Sequence, residues 1–254
     1  MNVSGGRRIV VGDVHGHYDG LMRLLEAIAP GHSDSVYFLG DLIDRGPKSC
    51  QVVEFVKNSG HTSLLGNHEQ LLLDAFPGNR IHPQALQAWI YSGGQATLSS
   101  YTSIDTLLEH LNWIHTLPTH LDLGDVWLVH AGVHPELSLD EQTLQEYCWI
   151  REKFHSIEKP YFQDKLIITG HTITFTLPEV NPGAIAQGAG WLDIDTGAYH
   201  PKSGWLTGLD ITNQVVYQVN VFQPLQRVLP LVEAINTVEP TKVIHRRRQM
   251  MQYQ

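Results

Sequence analysis

Cysteine is nearly absent. Cys50 and Cys148 are the only two in 254 residues, too few for a disulfide framework or a thiolate zinc cluster. Basic charge is also scarce. The 17 lysines and arginines face 26 aspartates and glutamates, for a formal net charge of -9. That balance argues against a general nucleic-acid partner. Long apolar runs are missing too. No stretch reaches the roughly 20 residues a membrane-spanning helix needs. Residues 1–6 lead to Arg7-Arg8 and then a strand, with no leader-like apolar segment. The expectation is a cytoplasmic protein with no membrane partner. Histidine, by contrast, is plentiful at 15, a hint of metal or acid–base chemistry.

One stretch organises the rest: Tyr37-Phe38-Leu39-Gly40-Asp41-Leu42-Ile43-Asp44-Arg45-Gly46-Pro47. An apolar, β-branched and aromatic run reads as a buried strand. Glycine then lets the backbone turn. Two carboxylates and a guanidinium follow, in a loop at the carboxyl end of a strand, where α/β proteins build their sites.

The same plan recurs on either side. Residues 8–11 form a strand that ends in Gly12-Asp13-Val14-His15-Gly16, followed by a helix over 19–29 with Leu21, Leu24, Leu25 and Ile28 on one face. Residues 49–57 form a second amphipathic helix. A third strand over 62–65 ends in Gly66-Asn67-His68-Glu69 and leads to a helix over 70–75. Three strand–loop–helix units in succession predict a parallel sheet with right-handed crossovers.

Residues 83–117 carry a helical pattern interrupted at Gly93-Gly94 and read as a helical cap insertion. Beyond Pro118, strands are expected at 126–129 and 165–169, ending in His130-Ala131-Gly132 and Gly170-His171. A helix is expected over 139–149. Short strands follow at 173–175, 184–186, 191–194, 206–210 and 214–221. This half reads as a second, largely antiparallel sheet. The expected fold is α/β: a sandwich of two β-sheets flanked by helices. Residues 226–254 are left as an extension of unknown role. The basic run His245-Arg246-Arg247-Arg248 within it reads as a solvated tail.

Six side chains stand at the strand ends: Asp13, His15, Asp41, Asn67, His130 and His171. All offer oxygen or imidazole donors, a set that suits manganese, iron or zinc. A two-metal site needs one bridging carboxylate, and Asp41 on the central strand is the candidate. One ion would take Asp13, His15 and Asp41, and the other Asp41, Asn67, His130 and His171. With Arg45 and Arg151 added, the site becomes a local positive focus in an acidic chain, suited to a phosphate dianion.

These motifs, in this order, resemble the phosphoprotein phosphatase (PPP) family of metallophosphoesterases. Glu69-Gln70, Trp149-Ile150-Arg151 and Ile194-Asp195-Thr196-Gly197 are similar to its compact bacterial and bacteriophage branch, typified by lambda phosphatase. The resemblance runs from about residue 9 to 209, within a single calcineurin-like domain over 1–225. It implies the fold of two mixed sheets with flanking helices, the metal assignments above with manganese first, and phosphate contacts from Arg45 and Arg151. It also implies a protein serine/threonine phosphatase acting on a phosphoprotein or phosphopeptide through a metal-bridging hydroxide. His68 is expected to protonate the leaving group, with Asp44 holding its imidazole charged. Asp195 reads as a turn residue. The alternative on the same scaffold is a symmetrical dinucleoside polyphosphate hydrolase. That branch, as the resemblance has it, tends to lack the aspartate at position 44 and to carry Asp in place of Glu69.

Overall fold

The computed structural model describes residues 5–244. The first three units form as the pattern predicts: β1 (Arg8–Val11) and α1 (Tyr18–Ile28), β2 (Ser35–Phe38) and α2 (Ser49–Asn58), β3 (Thr62–Ser63) and α3 (Asn67–Ala75). The strands β1, β2 and β3 are parallel neighbours. Alternation divides the side chains of β1 between two layers. Ile9 and Val11 pack in one cluster with Leu21 and Leu24 of α1. Val10 faces the other way, into a cluster with Leu128, Ile168, Leu192 and Leu209.

The helical insertion comprises α4 (Pro83–Trp89), a π-helical turn over Ile90–Gly94, α5 (Gln95–Ser100) and α6 (Ile104–Ile114). The predicted break at Gly93-Gly94 is a kink between two helices, with Gly93 at φ 115°, outside the helical region. The second half runs through β4 (His120–Asp122), β5 (Val126–Val129), α7 (Leu144–Trp149), α8 (Glu152–His155), β6 (Leu166–Thr169), β7 (Ile185–Gly188), β8 (Trp191–Asp193), β9 (Trp205–Asp210), β10 (Val215–Asn220), β11 (Gln226–Pro230), α9 (Leu231–Ala234) and β12 (Ile235–Thr237).

Two six-stranded sheets result, ordered β11-β10-β9-β1-β2-β3 and β12-β7-β8-β6-β5-β4. Several expectations are corrected. The antiparallel strands β9, β10 and β11 return to the first sheet, where β9 pairs with β1. The second sheet is mixed, because β5, β6 and β8 run parallel at its centre. Residues 173–175 are no strand. Thr174–Thr176 is a 3-10 turn, in which the N–H groups of Thr176 and Leu177 donate to the carbonyls of Ile173 and Thr174 at 2.8 and 2.9 Å and so are used locally instead of in a ladder. The helix expected over 139–149 starts only at Leu144, where Thr143 and Glu146 form a capping box. The stretch after residue 225 gives each sheet an edge strand, β11 and β12. The basic run at His245-Arg246-Arg247-Arg248 lies outside the described residues. Among those described, no helix is long and apolar enough to cross a membrane.

The consequence for function is geometric. Both sheets contain a parallel run, β1-β2-β3 at one end of the first and β5-β6-β8 in the middle of the second. The loops at the carboxyl ends of these strands carry Asp13, His15, Asp41, Asn67, His130 and His171 to one place.

Candidate metal centre and active site

These loops fasten to one another before any side chain is considered. The backbone N–H groups of Val14 and His15 both donate to the carbonyl of Asp41, at 3.1 and 2.9 Å. Glu69, fully buried on α3, accepts from the backbone of Asp41 and Leu42 at 2.8 Å each and from Gly66 at 3.0 Å. The loops are also strained. Of the non-glycine residues in the left-handed region, five belong to the site: His15, Asp41, Asp44, Arg45 and His171, with φ between 46° and 72°. Such conformations cost of order 1–3 kcal/mol each and persist where surrounding structure fixes them. Gly40, at φ 102°, admits no side chain, since a Cβ there would lie 2.6 Å from the backbone nitrogen of Gly66.

Two groups of potential metal ligands form among the described residues, and they share Asp41. One is His15, Asp41 and His68. The other is Asp41, His130 and His171. The Asp41 carboxylate stands 3.6 Å from His15 Nε2 through one oxygen and 3.4 Å from His130 Nε2 through the other. Asn67 Oδ1 lies 3.0 Å from His130 Nε2 and 2.8 Å from His171 Nδ1. Asp13 is one step out from these groups. Its carboxylate accepts from the backbone N–H of His171 at 3.0 Å.

The protonation pattern says what belongs between these groups. His130 Nδ1 lies 2.8 Å from the carbonyl of Leu39, and His15 Nδ1 lies 2.9 Å from that of Ile43. A carbonyl only accepts, so each Nδ1 carries the proton. Burial pushes both imidazoles down and keeps them neutral. Each Nε2 therefore presents a lone pair, that of His130 toward the Asn67 and Asp41 oxygens and that of His15 toward Asp41 and Arg45 Nη1, which donates to it at 3.0 Å. An imidazole with its other nitrogen tied to the backbone is the arrangement of a metal-ligating histidine. His171 Nε2 is buried with no hydrogen-bond partner. Close by, burial and the mutual repulsion of Asp195, Asp41 and Asp193 raise Asp13 well above the usual carboxylate range. Converging lone pairs and uncompensated carboxylates fit divalent cations held by nitrogen and oxygen donors.

His68 sits beside this centre. Its Nδ1 meets Asp44 Oδ2 at 2.6 Å, and both side chains are buried. Asp44 is itself clamped from the helical insertion. Trp89 Nε1 donates to it at 2.9 Å and Thr97 Oγ1 at 2.6 Å. Burial disfavours the charged imidazole of His68, but Asp41 and the Asp44 hydrogen bond outweigh it, and its pKa is raised. Arg45 reaches into the same pocket. Its backbone N–H donates to the carbonyl of Gly93 at the helix kink at 3.2 Å, and its guanidinium lies 3.9 Å over the ring of Tyr199. Arg151 Nη1 donates to the carbonyl of His171 at 3.1 Å and to Thr172 Oγ1 at 3.2 Å.

Asp41, Arg45, Asn67, His68, Arg151, His171 and Tyr199 are among the residues lining a cavity of about 110 Å³. Asp195 forms the expected turn, accepting from Gly197 N at 3.0 Å, and is buried. Sequence reasoning missed Trp89, Thr97 and Tyr199. Only the tertiary fold brings them to the site, and no local motif marks them.

Arg45→Ala is expected to raise KM and lower kcat while metal content stays intact. Its charge meets phosphoryl oxygens whose negative charge shifts in the transition state. Unchanged kinetics on a phosphorylated substrate would reduce Arg45 to a packing partner of Tyr199.

Comparison with known proteins places this geometry. The chain belongs to the calcineurin-like phosphoesterases, whose family model matches residues 6–194. Curated relatives named symmetrical bis(5'-nucleosyl)-tetraphosphatase include one from Dechloromonas aromatica, 35% identical over 50% of this chain and 44% of its own length. Another, from Salmonella paratyphi C, is 32% identical over 62% of this chain and 54% of its own. The chain thus spans about half the length of the curated relatives it matches. Among solved structures, one described provisionally as a diadenosine tetraphosphatase superposes with a TM-score of 0.62 at 21% identity, covering 91% of this chain and 96% of that one. A protein serine/threonine phosphatase from Saccharomyces cerevisiae gives 0.57 at 16% identity, covering 86% of this chain and 74% of that one. These likenesses show the shared fold. The names of the curated relatives agree with the polyphosphate-hydrolase alternative better than with the protein phosphatase reading.

Proposed function

We propose that the chain is a metal-dependent hydrolase of dinucleoside polyphosphates. One observation carries the reading: curated relatives that match half of the chain or more are named for that reaction. The shape of the site agrees with it. The 110 Å³ cavity at the metal centre has room for little beyond a phosphoryl group. Arg151 also lines a second hollow of about 420 Å³, together with His134, Trp149 and Lys153. A nucleoside extending from the bound phosphate would find an aromatic ring and cationic side chains there.

Asp13, His15, Asp41, Asn67, His130 and His171 would hold two divalent ions, manganese first and iron or zinc next. Such ions polarise a phosphoryl group and lower the pKa of a water at neutral pH. Arg45 and Arg151 hold the phosphoryl oxygens in line for attack. Water adds at phosphorus, the bond to the leaving oxygen breaks, and His68 faces the departing group with a proton. Asp44 keeps that imidazole charged and oriented.

A second reading, a phosphomonoesterase acting on phosphoserine or phosphothreonine, is favoured by the Asp44–His68 pair itself. A nucleotide departs as a weakly basic phosphate and needs little help from an acid. A serine alkoxide is strongly basic and needs a proton. The presence of Asp44 and Glu69 points the same way.

The deciding measurement compares kcat/KM of the manganese-loaded protein on diadenosine tetraphosphate and on a phosphoserine peptide. The first reading expects the dinucleotide to be preferred and to yield two equivalents of ADP. Preference for the phosphopeptide would overturn it in favour of the second.

A further inference from the structure

A second buried histidine–aspartate pair has no part in the chemistry above. His155 is the last residue of α8 and Asp193 the last of β8. Both side chains are fully buried, and His155 Nε2 meets Asp193 Oδ2 at 3.0 Å. The pair is bonded at each end to backbone that builds the site. His155 Nδ1 donates to the carbonyl of Arg151 at 2.9 Å. Asp193 Oδ1 accepts from the backbone N–H of Asp195 at 3.0 Å, and Asp195 in turn caps the turn at Gly197.

Arg151 needs holding. It links α7 to α8 with φ -132° and ψ -96°, outside both the helical and extended regions. From that backbone its guanidinium spans to the His171–Thr172 loop and lines the phosphate cavity. An apolar pair would fill the space behind it without desolvating two titratable groups. What the apolar pair would lack is the side-chain bond that joins the backbone N–H groups of Phe154 and His155 on the Arg151 carbonyl.

We propose that His155 and Asp193 are positioning residues that fix the backbone of Arg151, and through it the guanidinium, against the turn that carries Asp195. The inference rests on the reading that Arg151 contacts the phosphoryl group. The proton inventory sharpens it. His155 Nδ1 must carry a proton to reach a carbonyl. Burial raises Asp193 and pushes His155 down to about 4. Burial thus favours the neutral pair, in which the Asp193 carboxyl donates to Nε2. An asparagine amide can make the same donation and still accept from Asp195.

The test uses the full-length, metal-loaded protein with p-nitrophenyl phosphate as substrate and inorganic phosphate as competing ligand. Asp193→Asn should stay within about twofold of the parent, since both bonds are reproduced. His155→Gln keeps an amide near the Nε2 position and loses the side-chain bond to the Arg151 carbonyl, while the backbone bonds from Phe154 and residue 155 remain. It should raise KM and weaken phosphate inhibition about fivefold or more, the loss of one buried hydrogen bond, with a smaller change in kcat. Added to Arg151→Ala, it should cost nothing further, because the group it positions is gone.

Asp193→Leu cuts the far bond and serves if His155→Gln does not fold. It should show the same rise in KM. A parent-like KM in whichever of these two variants folds, beside a damaged Arg151→Ala, would overturn the inference alone. So would losses that add in full to those of Arg151→Ala. A silent Arg151→Ala would overturn the role of Arg151 itself, and the inference with it.

Discussion

Asp41→Asn is expected to strip bound metal and abolish turnover together. Asp41 belongs to both candidate ligand groups, and its two oxygens face His15 on one side and His130 on the other. Asparagine tolerates the left-handed backbone that Asp41 adopts at φ 49°. The loop should therefore survive, and the substitution isolates charge and donor count. The oxygen that accepts from the backbone N–H of His68 at 3.0 Å fixes the amide orientation. The NH2 group then points toward His15 Nε2, where a lone pair is required. If Asp41 bridges two ions, one would then meet a hydrogen-bond donor in place of a ligand, and both would lose the shared negative charge. Two-metal polarisation supplies several kcal/mol of transition-state stabilisation, so activity should fall by roughly 10³-fold or more. Metal analysis of the purified variant checks the cause. Two ions per chain with normal turnover would show that Asp41 does not bridge.

The sequence made this much legible because the site is built on a repeated local device. Each parallel strand is a short apolar run, each ends at glycine or a neighbouring small residue, and each loop offers a donor within a few residues. Position after the strands therefore marks Asp13, His15, Asp41, Asn67, His130 and His171 as candidates. The walls of the site obey no such rule. Trp89 and Thr97 reach Asp44 from more than 40 residues away, on helices whose apolar pattern reports packing and not hydrogen bonding. Tyr199 meets Arg45 only because the loop after β8 crosses above the loop after β2. Strand direction was equally hidden. Alternation in β9 and β10 says that one face is buried but not which sheet the strand joins, so their return to β1 had to come from the tertiary fold. The third strand, expected over 62–65, is only Thr62–Ser63; so short a run carries too few residues for its end to register.

His68→Asn should separate acid catalysis from every other function of the site. His68 Nδ1 is bound to Asp44, and Asp44 is fully buried beneath Trp89 and Thr97. The imidazole therefore has one committed nitrogen and one left to face the leaving group. A positioned general acid typically contributes about 10²- to 10⁴-fold, and most where the departing oxygen is most basic. On a phosphoserine peptide, which expels an alkoxide, the loss should approach that range. On p-nitrophenyl phosphate it should be far smaller, because nitrophenolate leaves without a proton. Asp44→Asn should show the same bias more weakly, since it removes charge and orientation but leaves the imidazole. A plot of log kcat against leaving-group pKa across aryl phosphates should therefore be steeper for the variant. Metal content has to be measured in parallel, because His68 Nε2 lies 4.0 Å from Asp41 and falls within one of the ligand groups. If metal is retained and good and poor leaving groups suffer equally, His68 is not the acid. Its role would then be to stabilise phosphoryl charge, and the proton would come from water. If metal is lost with His68, the residue is a ligand, and Asp13, now one step outside the cluster, loses its place in the first ion's shell.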